Sequence, residues 1–369
     1  MIRLAKISGA STGFILALTV TCLFWPGVSL SQSSETSVGE SFGAQLSEKT
    51  DWFKESFLEF EEDVAEAQAA GRRVMLYFYQ EGCPYCARLV GENFVDPQIK
   101  TFMQQNFDSI SLNIWGDREI VSVGGKSFSE KNFAQALKVQ YTPTLIFLDE
   151  SGRVALRLNG YYPPQDFRAA IDFVAQKREK ELSYADYRLQ QLASLKGQLI
   201  DEDFFIGESN LQSLLSDPDK PLAVFFESAG CAECQVMHER ILGDATTRKL
   251  VTQASNVQLD IASTKKIITP QGKQTTAAQW ARELGIDYTP SVVFFDSNAN
   301  EVMRIAAFIK TFHFQSVYAY VLEKAYTQQP VFQRYISTRA EKIRESGYNT
   351  DIWGYESFHK PEALKAEEN

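Results

Sequence analysis

The order of apolar and polar residues in the first half of the chain predicts helices that alternate with strands. Between Asp51 and Gly71, apolar side chains recur at helical spacing. Asp51 is predicted to cap this helix, and Gly71 to end it. The apolar face of this predicted helix carries Phe53, Phe57, Phe60, Val64 and Ala67. Residues 74–79 then form a continuous apolar and aromatic run, which is typical of a buried strand.

The alternation continues beyond this strand and completes a first structural unit. The elements predicted next are, in chain order, a helix from Cys83 to about Gln104, a strand over residues 108–114, a helix opened by a capping box of Ser127 and Glu130, a hairpin of strands over 144–148 and 154–158, and a helix from Asp166 onward. Helices and strands in this order indicate an α/β fold.

The second half of the chain repeats this pattern. The sequence VMLYFYQEGC at residues 74–83 aligns with LAVFFESAGC at 222–231, and YTPT at 141–144 aligns with YTPS at 288–291. Two copies at so long a separation indicate a duplicated domain, because a solenoid would show many short repeats. The sequence therefore predicts two tandem α/β domains of the same kind.

The stretches outside the two copies complete the division of the chain. Residues 176–199 are charged and favour helix, and an amphipathic helix is predicted from Val331 to about Gly347. Trp353 and Phe358 follow it and are expected to dock the tail onto a domain. The predicted parts are a signal peptide over 1–31, a flexible linker over 32–50, a first domain over 51–180, a helical connector over 181–215, a second domain over 216–326 and a C-terminal helical extension over 327–369.

The N-terminus has the features of a secretion signal. Arg3 and Lys6 precede an apolar stretch over residues 14–25, and small residues mark a cleavage site before Gln32. The apolar stretch is shorter than the ~20 residues of a comfortable membrane span. We therefore expect export with cleavage of the leader. The main alternative is an uncleaved leader that anchors the protein to the inner membrane.

Charge and motif spacing argue against two classes of partner. The net charge is −10 and no long basic run is present, which argues against nucleic acid because phosphate binding needs clustered Lys and Arg. The sequence GGK at residues 124–126 lacks the spacing of a phosphate-binding loop, so nucleotide is not an expected ligand either.

The five cysteines comprise Cys22, in the predicted leader, and two identically spaced pairs. Each pair follows an apolar strand and opens a predicted helix. A bond across two residues closes a very small loop and stabilises the fold little, so adjacent pairing indicates reversible redox chemistry. The helix N-terminus favours the thiolate of the first cysteine, and the second lies one turn away. Cys83 and Cys231 are thus the expected attacking residues, and Cys86 and Cys234 the resolving ones.

Three other interpretations of the cysteines stay open. A zinc site shared by the two pairs would join ligands much farther apart in sequence than those of a zinc ribbon. In a second interpretation, both pairs form purely structural disulfides. In a third, the first pair is active and the second is inactive.

The sequence GCPYC at residues 82–86, after a hydrophobic strand and followed by YTPT at 141–144, resembles the thioredoxin superfamily. In that family the proline is cis and faces the cysteine pair, so the resemblance implies a cis proline in both copies. It also implies that an extended substrate pairs with the backbone before that proline. The residues expected to contact substrate are Thr142, Pro143, Thr289, Pro290, Pro84 and Tyr85.

The whole mature chain further resembles the thioredoxin-related SoxW-like proteins. The segments LNIWGDRE at 112–119, YYPP at 161–164 and FQRYI at 332–336 carry this similarity. It implies a reductive role in the periplasm, with electrons supplied by a membrane thiol transporter of the CcdA or DsbD type. Protein or small-molecule disulfides would be the substrates, and no external cofactor is needed.

One departure from the superfamily pattern concerns a buried base. Many thioredoxins carry an acidic residue six positions before the first cysteine, where this chain has Tyr77 and Phe225. Glu81 and Glu227 are nearby acids, but nothing in the sequence assigns them that role. The rates and reduction potentials of the superfamily therefore do not carry over to this chain.

The two copies also differ between and beyond their cysteines. No charged residue lies between Cys83 and Cys86, whereas Glu233 places a carboxylate in the second pair. Because a nearby carboxylate disfavours a thiolate, we expect Cys231 to have a higher pKa than Cys83. His238, about two helical turns after Cys231, is expected to be a surface or packing residue rather than a proton shuttle.

These observations predict an exported thiol–disulfide oxidoreductase, and the resemblance to SoxW-like proteins implies that it acts as a reductase in the periplasm. One alternative is a peptide- or protein-binding module whose disulfides do not turn over. Another is an enzyme in which only the first domain is redox-active and the second serves as a relay or docking domain.

Overall fold

A computed structural model describes residues 38–46, 50–192 and 197–360. The predicted leader and part of the predicted linker lie outside these ranges. The strands are β1 (Ser41–Phe42), β2 (Arg73–Tyr79), β3 (Phe107–Asn113), β4 (Glu119–Val121), β5 (Ser127–Ser129), β6 (Thr144–Leu148), β7 (Val154–Asn159), β8 (Leu222–Glu227), β9 (Ser255–Asp260), β10 (Lys266–Ile268), β11 (Gln274–Thr276), β12 (Ser291–Phe295), β13 (Glu301–Ile305), β14 (Asn349–Asp351) and β15 (Phe358–His359). None of the described helices is long and apolar enough to cross a membrane.

The described helices of the second half match those of the first except at its start, where a 3₁₀ segment, Leu211–Leu215, precedes the first strand in place of an α-helix. The α-helices are α1 (Phe60–Ala69), α2 (Pro84–Arg88), α3 (Pro97–Asn106), α4 (Glu130–Ala136), α5 (Pro164–Ala175), α6 (Tyr184–Leu192), α7 (Ala232–Val236), α8 (Ala245–Val251), α9 (Ala277–Glu283), α10 (Thr311–Leu322) and α11 (Phe332–Glu345). Wider π-helical turns extend α2 over Leu89–Asn93 and α7 over Met237–Leu242.

Each half contains a four-stranded mixed sheet. The order is β3-β2-β6-β7 in the first and β9-β8-β12-β13 in the second. In both sheets the two strands that come first in the chain are parallel, and the following hairpin is antiparallel to them. This topology confirms the predicted α/β class and the duplication.

The packing of the core explains why β2 and β8 are apolar throughout their sequences. Alternate side chains of β2 point to opposite faces, and helices cover both faces, so Met75 and Leu76 enter different apolar clusters. The same holds for Ala223 and Val224 in β8. These central strands therefore sit fully inside each unit and hold the residues that follow them in fixed positions.

The first predicted helix begins later than expected. α1 starts at Phe60, not after Asp51, and Phe57 is 97% exposed. The backbone before it forms other bonds: the Lys54 N–H donates to the Ser109 carbonyl at 2.8 Å, and Leu58 adopts a left-handed φ of 64°. Helical spacing of apolar residues was misleading here because this segment runs along the sheet edge.

Two further helix predictions need correction. The helix expected from Cys83 to about Gln104 is divided, because Asp96 caps a new helix whose first residue, Pro97, has no N–H to bond backwards. The expected capping box is also wrong. Ser127 lies in β5 and Ser129 caps α4, while Glu130 is buried and accepts a hydrogen bond from the Asn113 N–H at 2.9 Å.

The connector and the C-terminal extension are only partly helical. In the connector, α6 ends at Leu192, and of residues 197–215, which the structure describes, only Leu211–Leu215 are helical, as a 3₁₀ segment. In the extension, α11 forms as predicted, and β14 then pairs with β1 in parallel and with β15 in antiparallel. We call residues 38–46, α11 and the β14–β15 segment the cap, because they lie together beside the first cysteine pair.

The two halves pack against each other through equivalent segments. Tyr161 and Phe308 are separated by the same number of residues as Pro143 and Pro290, and they form an antiparallel bridge with each other. The Arg88 guanidinium lies 4.6 Å from the Tyr161 ring centre and 5.2 Å from that of Phe308. The duplicated domains therefore meet as a pseudo-symmetric pair, with their cysteine-bearing ends close to the contact.

Candidate active site

The first cysteine pair lies where β2 gives way to α2. Gly82, with a φ of 73°, turns the chain after the strand, and Cys83 is the N-cap of the helix that Pro84 opens. Cys83 and Cys86 form a disulfide with their Cα atoms 5.2 Å apart. The Cys86 N–H donates to the Cys83 sulfur at 3.1 Å. This N–H is one of the unpaired donors of a helix start, and it is placed to stabilise a thiolate after reduction.

The loop containing Pro143 lies against the same sulfur. The Thr142–Pro143 peptide bond is cis. The Thr142 carbonyl oxygen is 3.4 Å from the Cys83 sulfur, and the Thr142 hydroxyl donates to that sulfur at 3.3 Å. The structure thus brings together two motifs that stand far apart in the sequence.

The second pair has the same backbone arrangement. Cys231 caps α7, forms a disulfide with Cys234, and accepts the Cys234 N–H at 3.0 Å. The Thr289 carbonyl oxygen is 3.4 Å from the Cys231 sulfur, and the Thr289–Pro290 peptide is cis. One contact differs, because the Thr289 hydroxyl bonds to the Ser228 hydroxyl at 3.1 Å.

Access to the first sulfur is restricted in both domains. Cys83 is 4% exposed and Cys231 is 9% exposed, so both side chains are buried. For Cys83 the cover comes from the second domain and the cap, which no local pattern reveals. Around Cys231 the cover is thinner, because Gly230 and Ala232 on either side are exposed.

Tyr85, between the first two cysteines, is an interface residue. Its hydroxyl accepts the Lys310 N–H at 2.9 Å, and its ring packs edge-on against His313 and Trp353 at centroid distances of 5.0 and 5.1 Å. Burial raises the pKa of Tyr85 and lowers that of His313 to about 4, so both side chains are uncharged near neutral pH. Trp353 thus docks the tail beside the cysteine pair.

The second domain has a buried ionic cluster that sequence analysis did not assign. His238 is 4% exposed and its Nε2 lies 3.1 Å from a carboxylate oxygen of Glu227, itself 1% exposed. Its Nδ1 lies 3.0 Å from Glu202. Burial alone would lower the pKa of His238, but the hydrogen bonds and charges of the two carboxylates outweigh it and raise that pKa. The first domain has Tyr79 and Val90 at the equivalent positions of Glu227 and His238.

The positions of the missing buried acid hold side chains that cannot replace it. Tyr77 is buried, burial raises its pKa, and its hydroxyl has no hydrogen-bond partner among the described residues. Phe225 is fully buried. Glu81 is exposed at the rim of the first site. Within the described ranges, no three His, Cys, Asp or Glu side chains are grouped as a metal site.

Two disulfides at strand–helix junctions, each beside a proline loop, define a class: thiol–disulfide oxidoreductases of the thioredoxin fold. The chain belongs to the thioredoxin-like domain family, whose model matches residues 60–175 and 213–322, more than half of the sequence. The superfamily predicted from the sequence is thereby confirmed. Among curated proteins, none matches this chain.

Several solved structures are similar to one part of the chain. A thioredoxin-fold protein from Helicobacter pylori is 24% identical over 33% of this chain and 79% of its own, with a TM-score of 0.30. A thioredoxin from Thermus thermophilus is 24% identical over 37% and 87%, with a TM-score of 0.26. The C-terminal domain of DsbD from Neisseria meningitidis is 22% identical over 29% and 84%, with a TM-score of 0.24. Similarity at this level does not identify the substrates of this chain.

Proposed function

We propose that this thiol–disulfide oxidoreductase works as a reductase in the periplasm, with Cys83 and Cys231 as its attacking residues. The observation that carries the proposal is the repeated geometry of the two sites. In each, the first sulfur receives the N–H of the second cysteine and lies 3.4 Å from the carbonyl that precedes the proline. A disulfide held in this way can be broken and re-formed with little movement of the backbone.

The reductive cycle begins with the dithiol form. The Cys83 or Cys231 thiolate attacks one sulfur of a substrate disulfide, and the other substrate sulfur leaves as a thiolate that takes a proton. The resolving thiolate of Cys86 or Cys234 then attacks the first cysteine, releases the second substrate sulfur and forms the intramolecular disulfide. Two electrons pass from the protein to the substrate, and a dithiol donor must return them.

The donor in this proposal is a membrane thiol transporter of the CcdA or DsbD type. The predicted leader supports an exported protein, and the resemblance to SoxW-like proteins supports the reductive direction. Substrate recognition is assigned to Thr142, Pro143, Thr289 and Pro290, with Pro84 and Tyr85 beside the first pair. N-terminal sequencing of the exported protein tests the location: a chain that begins at Gln32 supports it, and one that retains Arg3 supports the anchored alternative.

The activity is tested by following thiols lost from the reduced protein when a disulfide is added. We expect the wild type to consume two thiols per pair and the Cys83→Ser/Cys231→Ser double variant to consume none, with insulin and bis(2-hydroxyethyl) disulfide as the two probes. If the wild type reduces neither probe, the redox function fails and the binding-module alternative is favoured.

A second candidate function, with the second domain as a relay, is favoured by the direct contact between the two domains. Resolving-residue variants separate the two roles, because Cys86→Ser and Cys234→Ser each trap the mixed disulfide of their own pair. A relay predicts that only one variant captures substrate and only the other captures the electron donor. Two independent enzymes predict that both variants capture both.

A further inference from the structure

A cavity of about 360 Å³ lies directly over the Cys83 sulfur. Its floor comes from the first domain and includes Cys83, Thr142 and Trp115. The opposite wall comes from elsewhere in the chain: residues 305–309 belong to the second domain, and Ser337 belongs to the cap. A volume of this size is at the small end of the range for small-molecule sites, which is about 300–1,000 Å³.

The walls of this cavity are tied together by direct bonds. The Gln80 side-chain amide donates to the Gln333 side chain at 2.9 Å, and the Gln333 amide donates to the Gln140 carbonyl at 2.9 Å. The bridge between Tyr161 and Phe308 closes the opposite side. With the cap and the second domain held in place, a small molecule reaches the Cys83 sulfur more easily than the edge of a folded protein does.

The lining indicates what kind of small molecule fits. Among the described residues that line the cavity there is no lysine or arginine, and the one carboxylate, that of Glu81, is exposed at the rim. His313 is buried with its pKa lowered to about 4 by desolvation, so it carries no charge near neutral pH. The polar groups that remain are amides and hydroxyls, which bind uncharged polar groups but do not offset the desolvation of a charge.

We propose that the Cys83–Cys86 pair reduces a small, uncharged organic disulfide bound in this cavity. The inference rests on the proposed function and specifies its substrate class for the first domain. The Cys83 thiolate attacks the bound disulfide RSSR, which releases one RS⁻ and leaves a Cys83–S–S–R mixed disulfide. Attack by Cys86 on Cys83 releases the second RS⁻, and the two protons of the dithiol pass to the two products.

The test uses the full chain with the second pair silenced by Cys231→Ser/Cys234→Ser, so that the first pair alone reacts. The reduced protein is mixed with bis(2-hydroxyethyl) disulfide, oxidised glutathione or insulin, and the loss of thiols is followed by maleimide labelling. Each rate constant is divided by that of dithiothreitol with the same disulfide, which removes differences in intrinsic reactivity. We expect the normalised rate constant of the uncharged small disulfide to exceed that of oxidised glutathione, and that of insulin, by at least about tenfold each.

Two substitutions in the cap helix α11 test whether the reaction takes place in the cavity. Ser337→Trp fills the space over Cys83 and should lower the rate of reaction with the small disulfide by about tenfold. Glu341 is exposed on the same helix outside the cavity, so Glu341→Trp should leave this rate unchanged. Gln333→Ala removes two of the hydrogen bonds that hold the cap to the first domain and should raise the rate with insulin. An unchanged rate in Ser337→Trp, with intact circular dichroism, overturns the proposal.

The outcomes separate this inference from the function on which it rests. If the first pair reacts with none of the three disulfides, the redox function of the first domain fails. If insulin reacts as fast as the small disulfide, the function stands and the restriction to small molecules is wrong. If oxidised glutathione matches bis(2-hydroxyethyl) disulfide, the restriction to uncharged substrates is wrong.

Discussion

The two cysteine pairs share one backbone geometry and have different surroundings. In both, the first sulfur caps a short helix and faces the carbonyl before a proline. Pro84 and Tyr85 of the first pair are buried under the second domain and the cap, while Ala232 of the second pair is exposed and Glu233 is partly buried. The two copies thus share the geometry of the cysteine pair and the proline loop, and they differ in the residues that cover it.

The interiors next to the two pairs differ as well. The strand that leads to Cys231 ends in the buried carboxylate of Glu227, which pairs with His238. The corresponding places in the first domain hold Tyr79 and Val90, with no charge buried between them. The second domain therefore has a buried, titratable histidine–carboxylate pair at these positions. The first domain has an aromatic and an apolar side chain there instead.

The largest expected contrast comes from the residue just before each resolving cysteine. Tyr85→Ala removes the packing against His313 and Trp353 and should lower the free energy of unfolding by about 4 kcal/mol. Glu233→Ala should change it by less than about 1 kcal/mol, because burial already raises the pKa of Glu233 and the carboxylate gains little there. Urea denaturation of the oxidised proteins measures both.

Tyr85→Phe serves as the control for this contrast. It keeps the ring and loses two contacts of the hydroxyl, the bond from the Lys310 N–H and the 3.3 Å contact with the His313 Nδ1, so a cost of about 1–2 kcal/mol is expected. Equal losses in Tyr85→Ala and Glu233→Ala would show that the two positions are not structurally different.

The next effect concerns His238 and its dependence on pH. Its pKa is raised above the ordinary value of 6.5, so its contribution to stability is fully present below that value and is lost as the pH rises through the folded-state pKa. His238→Leu leaves Glu227 buried without this partner and should lower the free energy of unfolding by about 3 kcal/mol below pH 6.5. The variant should also lack the decline that the wild type shows above pH 6.5.

The matched control is Val90→Leu, the equivalent position in the first domain. The added methylene there should cost about 1–3 kcal/mol, the same amount at every pH. Urea denaturation across the pH range decides the question, and a wild-type stability that does not fall above pH 6.5 contradicts the assigned protonation of His238.

The smallest effect is the difference between the thiol pKa values. Cys231 should titrate above Cys83, and Glu233→Gln should lower the pKa of Cys231 because a nearby negative charge is removed. Ultraviolet thiolate absorbance, measured on proteins with one pair replaced by serine, gives each value. The reverse order of the two cysteines would show that Glu233 does not control the second thiol.

Local sequence patterns predicted those parts of the fold that depend on neighbouring residues. The apolar runs at residues 74–79 and 222–227 located the central strands, because strands covered on both faces need apolar residues throughout. Helix starts were predicted less well. Phe57 lies in solvent although it fits a helical face, since the chain around it bonds to the edge of the sheet.

The same limit applies to the site. The spacing of Cys83, Cys86, Cys231 and Cys234 indicated redox chemistry, because two cysteines one turn apart can exchange a bond. It did not indicate that Tyr85 holds the second domain or that His238 pairs with two carboxylates. Those contacts join residues distant in sequence, and no period or motif along the chain encodes them.

The duplication, the central strands, and the cysteine and proline motifs can all be recognised without a structure, because they follow from local composition and repeat. The cavity over the Cys83 sulfur depends on the folded arrangement, since its walls come from the second domain and from a cap at the far end of the chain. Burial depends on what packs from outside a segment, and that information is spread over the whole polypeptide.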